Sequence, residues 1–301
     1  MAGSFTTVDL SQLAAPDAVE ALDFETIFSA MLADLQARMT AAGTDFTALL
    51  ESDPAYKILE VCAYRELLLR QRANEAVRAV MLAFATGSDL DQIGANYNVA
   101  RLVITPADST TIPPTAAVME SDDAYRARIP VSLEGYTTAG SEGSYIFWGL
   151  SADGDVKDIS AVSPAPGQVT VYVLSNTGDG TAPDTLLASV TSALNADSVR
   201  PMTDQVTVQS SSIVEWSITA DLTLYSGPDS GVVKAAAIAA AQAYADSVHR
   251  NGYDVSLSGI YHALHQTGVD SVSLTSPTAN IPVSAGQAPY CTSITVTVDG
   301  S

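Results

Sequence analysis

Two histidines, His262 and His265, stand three residues apart. On a helix that spacing could turn both imidazoles towards one metal ion. A metal site needs more ligands, and neither a cysteine nor a close set of carboxylates stands nearby to supply them. The two cysteines, Cys62 and Cys291, are isolated from one another and from the histidines, so no disulfide framework or thiolate site is expected. His249, followed by Arg250, reads as a cation at a helix C-terminus. Gly178-Asp179-Gly180 marks a turn and is too short to cradle a phosphate. No Gly-x-Ser-x-Gly elbow is present, and the acid pairs Asp122/Asp123 and Asp153/Asp155 fall at helix ends or turns. General acid–base work needs two carboxyls facing one cleft, which spacing alone does not supply. No catalytic, cofactor-binding or metal-ligating residue is assigned, and the chain is read as a non-enzyme.

The elements that would carry any site begin with Ser52 to Arg101. Ser52-Asp53-Pro54 is a helix start, with an oxygen to cap the first amides and a proline where no N–H is needed. After Pro54, as far as Thr86, there is no further proline and no glycine, which predicts one helix over 54–86, about 50 Å long at 1.5 Å per residue. Gly87 is expected to cap its C-terminus in the left-handed region. Ile58, Val61, Cys62, Leu69, Val77, Val80 and Phe84 recur at helical spacing and form an apolar stripe, with Cys62 as a small core-like residue. Arg65 and Arg72 flank it. Six of the thirteen Lys and Arg lie in these fifty positions: Lys57, Arg65, Arg70, Arg72, Arg78 and Arg101. The plainer reading is an internal helix of an all-α domain. The functional reading is a partner-helix interface formed by Ile58, Val61, Cys62, Arg65, Leu69, Arg72, Val77, Val80 and Phe84, a basic rod suited to an acidic partner.

The whole chain sharpens that contrast. Its 301 residues carry 34 acidic and 13 basic side chains, a net charge of −21. Binding to nucleic acid through phosphates needs clustered cations, so neither nucleic acid nor an anionic membrane surface is an expected partner. No apolar run reaches the eighteen or so residues of a membrane span. The first basic residue is Arg38, so no secretory signal is expected, and folding in a reducing cytoplasm is.

Residues 1–16 read as an extended arm, and a helix is expected from Asp17 or Asp23 to Ala41. The stretch 102–118, with Pro106, Pro113 and Pro114 and no helical period, reads as a linker. A helix capped by Ser121 follows, then a turn at 135–140 and a helix over 141–151. Beyond it the period changes to two, with strands at 156–162, 168–174, 205–209, 213–224, 269–274 and 292–298, and helices at 184–196, 230–248 and 255–265. Val156–Pro164 echoes Val269–Pro277, each after a short helix and before an alternating strand, so that His262 and His265 correspond to Trp148 and its neighbours. The fold class is α+β: an N-terminal helical region (1–101), the linker, then two small α+β domains with short mixed sheets (119–210 and 211–301).

Taken in order, these pieces resemble the J-type baseplate assembly proteins of contractile-tailed bacteriophages and related tail-like particles. The resemblance rests on Glu51–Tyr56 and the Arg-rich helix after it, Ala85–Gln92, Glu120–Ile129, Gly135–Gly140, Val156–Pro164 and Val199–Asp204. It covers nearly the whole chain, and its weight lies in the ordered set. It implies a structural subunit of the baseplate wedge, located in the virion tail and assembled in the host bacterial cytoplasm. By the resemblance, the N-terminal helices join a bundle with a second copy and another wedge protein. The C-terminal domains then link neighbouring wedges into a ring, with the central hub or sheath-initiating proteins as further partners. Two other readings stand beside it: a receptor-binding or adhesion module of such a particle, and a cytoplasmic hydrolase using His262 or His265.

Overall fold

The computed structural model describes residues 10, 13–16, 18–44, 50–137, 140–227 and 229–298. They form two compact units divided between Ala100 and Arg101. Most of the expected arm at 1–16 falls outside the described residues.

The first unit is helical. α1 (Phe24–Ala41) starts at Asp23, whose carboxylate accepts from the Thr26 amide at 2.8 Å. α2 (Pro54–Ala79) starts at Asp53, which accepts from the Ala55 amide at 2.9 Å with Pro54 in the first turn. Ile27 and Phe28 of α1 pack on Ala63 of α2, with Met31, Leu32, Tyr56, Leu59 and Leu67 around them. α2 ends at Ala79, capped by Val80, and not at Thr86. It is therefore about 40 Å long. Nothing in the residues Val80–Phe84 forbids helix. The chain instead turns through bonds from the Phe84 and Ala85 amides to the Met81 carbonyl, and buries Ala85 and Leu90. Tertiary burial here overrides local propensity. Gly87, at φ +53°, opens α3 (Gly87–Asn96) rather than closing α2. Asn98 then takes the left-handed conformation while the Val99 amide reaches back to the Gly94 carbonyl at 3.0 Å, a Schellman-type close.

The second unit begins with a correction. The stretch 102–118 is tied into an antiparallel hairpin of β1 (Val103–Thr105) and β2 (Val118–Met119). Asp108 and Thr115 exchange backbone hydrogen bonds at 3.0 and 2.9 Å. The Asp108 carboxylate also accepts from the Thr110 amide and hydroxyl, and the Thr111 hydroxyl from the Thr115 amide. Local polar turns thus replace the alternation that would have announced two strands.

At the hairpin base lies a buried ion pair. Arg128 of α4 (Asp122–Val131) grips Glu120 with two hydrogen bonds, at 3.0 and 2.6 Å. Both side chains are buried. Glu120 also accepts from the Leu102 amide at 3.1 Å, and its carbonyl takes Arg101 Nη1 at 2.8 Å. Arg101 pairs with Asp122 at 2.8 Å and lies over the Tyr125 ring. A 3-10 turn (Ser132–Tyr136) follows, so the expected turn at 135–140 lies partly in it and partly, at Thr138 and Ala139, outside the described residues.

α5 (Glu142–Leu150) leads into β3 (Val156–Ala165), β4 (Gln168–Ser175), α6 (Asp184–Leu194) and β5 (Gln205–Ser210), with strand order β3-β4-β5. β4 runs antiparallel to β3 and parallel to β5. The second sheet uses β6 (Ser212–Leu224), β7 (Val269–Ser276) and β8 (Gln287–Val298) in the order β7-β6-β8, under α7 (Ser230–Val248) and α8 (Leu257–Leu264). Here β6 is the middle strand, antiparallel to β7 and parallel to β8. The echo is therefore partial. β3 and β7 hold equivalent outer places, but β4 is central and β8 is not. A tight turn at Pro166-Gly167 makes β3 and β4 neighbours, whereas the longer stretch 277–286 carries the chain past β6. Ile218, Leu222, Ile260 and Leu264 are wholly buried in this core, each contributing about 1.5–3 kcal/mol.

Removing one member of the buried pair should be costly. Arg128→Ala leaves the Glu120 carboxylate buried without its cation and should cost about 3–5 kcal/mol in chemical denaturation. Arg38→Ala breaks an ion pair whose side chains are both well exposed and should leave the unfolding midpoint in place.

Candidate docking face and a buried polar junction

α2 carries two apolar faces, and the sequence stripe mixes them. Tyr56, Leu59, Ala63 and Leu67 turn towards α1. Buried Asn74 continues that face by clamping Glu20, accepting from its amide at 3.0 Å and donating to its carbonyl at 2.9 Å. Arg70 belongs to this side as well, bonded to Glu66 and Glu20. The other face is free. Ile58, Val61, Cys62, Arg65, Leu69, Arg72 and Val80 are exposed, Ile58 to 63% and Leu69 to 71%, joined by Tyr64 and Leu68. Val77 and Phe84 are partly buried. Phe84 lies beyond the end of α2, and Val77 falls on the α1 side of the helix by its register with Ala63 and Asn74. Of the expected interface residues, seven thus share exposed surface and two do not.

Sequence reasoning passed over Tyr64 and the inward face. The signal for the inward face was present in 56, 59, 63, 67 and 74, which share one helical register. Ile58, Arg65 and Arg72 are spaced by seven, with Val61 and Leu68 between, as on a helix that packs along another helix. Arg72 meets Glu75 at 3.5 Å, and Arg65 has no acidic partner among the described residues. Arg101, counted with the rod in sequence, belongs to the second unit and is engaged there.

Groups with displaced proton affinities are where an active site would be sought. Several gather between the two sheets of the second unit. Asp158 of β3 is half-buried and accepts from the Asn251 amide at 2.8 Å. Burial pushes its carboxyl up to about 6, against the pull of the Asn251 and Ile159 amides and of the Arg250 and Lys157 charges. The Asn251 side chain accepts from the Ser211 hydroxyl at 2.7 Å and donates to the Tyr172 carbonyl at 3.3 Å. The Ser160 hydroxyl donates to the Ala285 carbonyl. Lys157 Nζ stands 2.8 Å from His249 Nδ1. This overturns the reading of His249 as a helix-end cation. Burial, then the neighbouring Lys157 charge, lowers its pKa, so the neutral ring accepts a hydrogen bond from the ammonium. Burial lowers Lys157 as well. Apart from His249 Nε2, which is buried without a hydrogen-bond partner, these groups bond to one another across the sheets and brace them.

The remaining candidates are scattered over the chain. His262 and His265 are exposed at the end of α8. No group of three or more potential metal ligands occurs among the described residues. Asp122 and Asp123 pair with Arg101 and Arg126, and Asp155 accepts from the Ser175 hydroxyl. The Tyr145 hydroxyl donates to Asp204 at 2.6 Å, and burial holds the phenol protonated well above its usual range. Among the described residues no helix is long and apolar enough to cross a membrane.

A free helical face, a hairpin clamped to a four-residue ion network and two braced sheets define a protein of assembly. The chain belongs to the baseplate J-like family: its N-terminal domain matches residues 51–108, its central domain 137–210 and its C-terminal domain 216–297. Baseplate protein J of Escherichia phage P2 is 53% identical over 297 residues, covering 98% of each chain. A chain of the six-fold symmetrised cryo-EM structure of the anti-feeding prophage baseplate is similar at 13% identity and a TM-score of 0.43, over 59% of this chain and 43% of that one.

The Asp158 carboxyl gives a signed pH effect. Its folded pKa, about 6, lies above the ordinary 3.8, so the folded state binds this proton more tightly than the unfolded chain. The associated stability is present in full below the ordinary value and is lost as pH rises through 6. Compared with Asp158→Asn, the natural chain should therefore gain up to about 3 kcal/mol between pH 7 and pH 4, read from denaturant midpoints of both proteins. His249, being depressed, shifts both alike and cancels in the difference.

Proposed function

We propose that this chain is a structural subunit of the baseplate wedge of a contractile injection tail. Its first unit joins a helical bundle through the outward face of α2, and its second unit links neighbouring wedges into a ring. The observation that carries the reading is that face: an exposed row of Ile58, Val61, Leu68 and Leu69 with Arg65 and Arg72 set into it. Such a row left in water is costly, and a partner helix would cover it. On a chain of net charge −21, these guanidiniums favour a partner that supplies carboxylates. Family membership and the name carried by the phage P2 relative support the baseplate setting. The partners are then a second copy, other wedge proteins and, at the ring, neighbouring wedges, with the hub or sheath-initiating proteins within reach. The site is the virion tail, after assembly in the host cytoplasm. The role is mechanical and non-enzymatic: interfaces hold an assembly that later rearranges between discrete packings.

Ile58→Asp with Leu69→Asp alters only exposed positions. The double variant should lose at least about tenfold in co-purification with its wedge partners while the second unit unfolds as before, and unchanged co-purification would reject the helix role. The division of labour has its own test. A chain ending at Ala100 should still enter a wedge complex yet leave rings open in negative-stain micrographs. Rings closed by that shortened chain would assign the ring contacts elsewhere.

A further inference from the structure

Asn251 is followed by Gly252, and the sequence holds no other Asn-Gly step. Such a pair is open to one particular reaction. The backbone nitrogen of the glycine, having given its proton to solvent base, attacks the side-chain carbonyl carbon of the asparagine. A carbon–nitrogen bond forms, the bond to the side-chain nitrogen breaks, and ammonia leaves. Water then opens the cyclic imide at either carbonyl, giving aspartate or its branched isomer, isoaspartate. Glycine favours the attack because no Cβ hinders the approach of its backbone.

In the folded chain both reacting groups are held apart. The Gly252 amide donates to the Gln287 carbonyl at 2.9 Å. The Asn251 side chain is buried and fixed at both of its polar atoms. Its oxygen accepts from the Ser211 hydroxyl at 2.7 Å, and its nitrogen donates to the Tyr172 carbonyl at 3.3 Å. Tyr172 lies in β4 of the first sheet, and Ser211 is the link between the sheets. Turning the side chain onto Gly252 therefore requires the sheets to part at this point, a local opening short of global unfolding. The product does not fit the place it came from. A carboxylate has no N–H for the Tyr172 carbonyl. Its charge also falls beside Asp158, whose own carboxylate accepts from the Asn251 amide, and like charges so placed oppose one another. The branched isomer adds a carbon to the main chain as well. We infer that Asn251 is a gated deamidation site: shut while the two sheets of the second unit are joined, opened by their local separation, and unable to restore the junction once modified.

The experiment follows conversion of Asn251 to aspartate and isoaspartate by peptide mapping of the full chain. One sample is kept folded in mildly alkaline buffer, and another is unfolded in guanidinium at the same pH. The folded chain should react at least about a hundredfold more slowly than the unfolded one. Ser211→Ala removes one of the two side-chain bonds and should speed the folded chain about threefold to tenfold. Gly286→Ala sets a Cβ 2.6 Å from the Tyr172 ring, and pushing the sheets apart should speed it about tenfold. Arg38→Ala, on the exposed surface of the first unit, should match the natural chain. If neither junction variant folds, the natural chain decides: guanidinium below the unfolding midpoint should speed the reaction in step with hydrogen exchange at the Gly252 amide. Asn251→Asp, which carries the unbranched product, should exchange that amide at least about tenfold faster than the natural chain. An unfolded chain that does not react, equal rates folded and unfolded, folded junction variants no faster than the natural chain, a rate indifferent to low guanidinium, or unchanged exchange in Asn251→Asp overturns the inference.

Discussion

A single residue separates the two sheets of the second unit. β5 ends at Ser210 and β6 begins at Ser212, so the chain passes from one core to the next with no slack. Ser211 is held at both ends of that step: its amide reaches the Val173 carbonyl at 2.9 Å, and its hydroxyl reaches Asn251. With so short a link the relative orientation of the sheets is largely set by the backbone, and the turn after α7 completes it. Asn251 touches β3, β4 and the link together. Gly286 lets the second sheet come close enough, since a Cβ there would lie 2.6 Å from the Tyr172 ring. The displaced carboxyl of Asp158 is a by-product of this closeness: the charge is taken out of water so that the sheets can meet.

Much of this was readable in the residues. Caps at Asp53 and Ser121 located helix starts because a short polar side chain before an apolar run has one good use. Alternation located the strands to within a few residues. What was not readable was which apolar face of α2 meets its own chain. A 3.6-residue period ranks positions around a helix but does not say whether the opposing surface belongs to α1 or to another protein. The sequence stripe consequently ran Val77 and Phe84 together with Ile58 and Leu69. The end of α2 escaped notice for a related reason: Val80–Phe84 is acceptable helix, and only the burial of Ala85 and Leu90 explains the turn.

The hairpin and His249 were misread for a different reason, because their states depend on partners distant in sequence or on unusual local bonding. The pairing of residues 103–119 is secured by threonine and aspartate side chains, which look the same in a disordered linker. His249 is held neutral by burial and then by Lys157, ninety-two positions earlier, which comes within 2.8 Å of it. The assignment of no catalytic residues rested on incomplete ligand sets, and His262 and His265 stand exposed at the end of α8. Burial displaces Asp158 and His249, and local cap or turn bonds lower Asp23, Asp108 and Asp179.

The clamp at the hairpin base also has a bearing on how the chain can change length. Glu120, Arg128 and Arg101 fix the two stems where they leave the body, and Asp108 with Thr115 closes the ribbon on itself further out. Between Asp108 and Thr115 the polypeptide is bonded to neither core. The entropy of closing a loop grows only with the logarithm of its length, so residues added there would be tolerated at little thermodynamic penalty, from a few amino acids to a small folded insert. The tip is thus a natural graft point, where sequence can be gained or lost in evolution, or an epitope placed by design, without disturbing the assembly scaffold behind it.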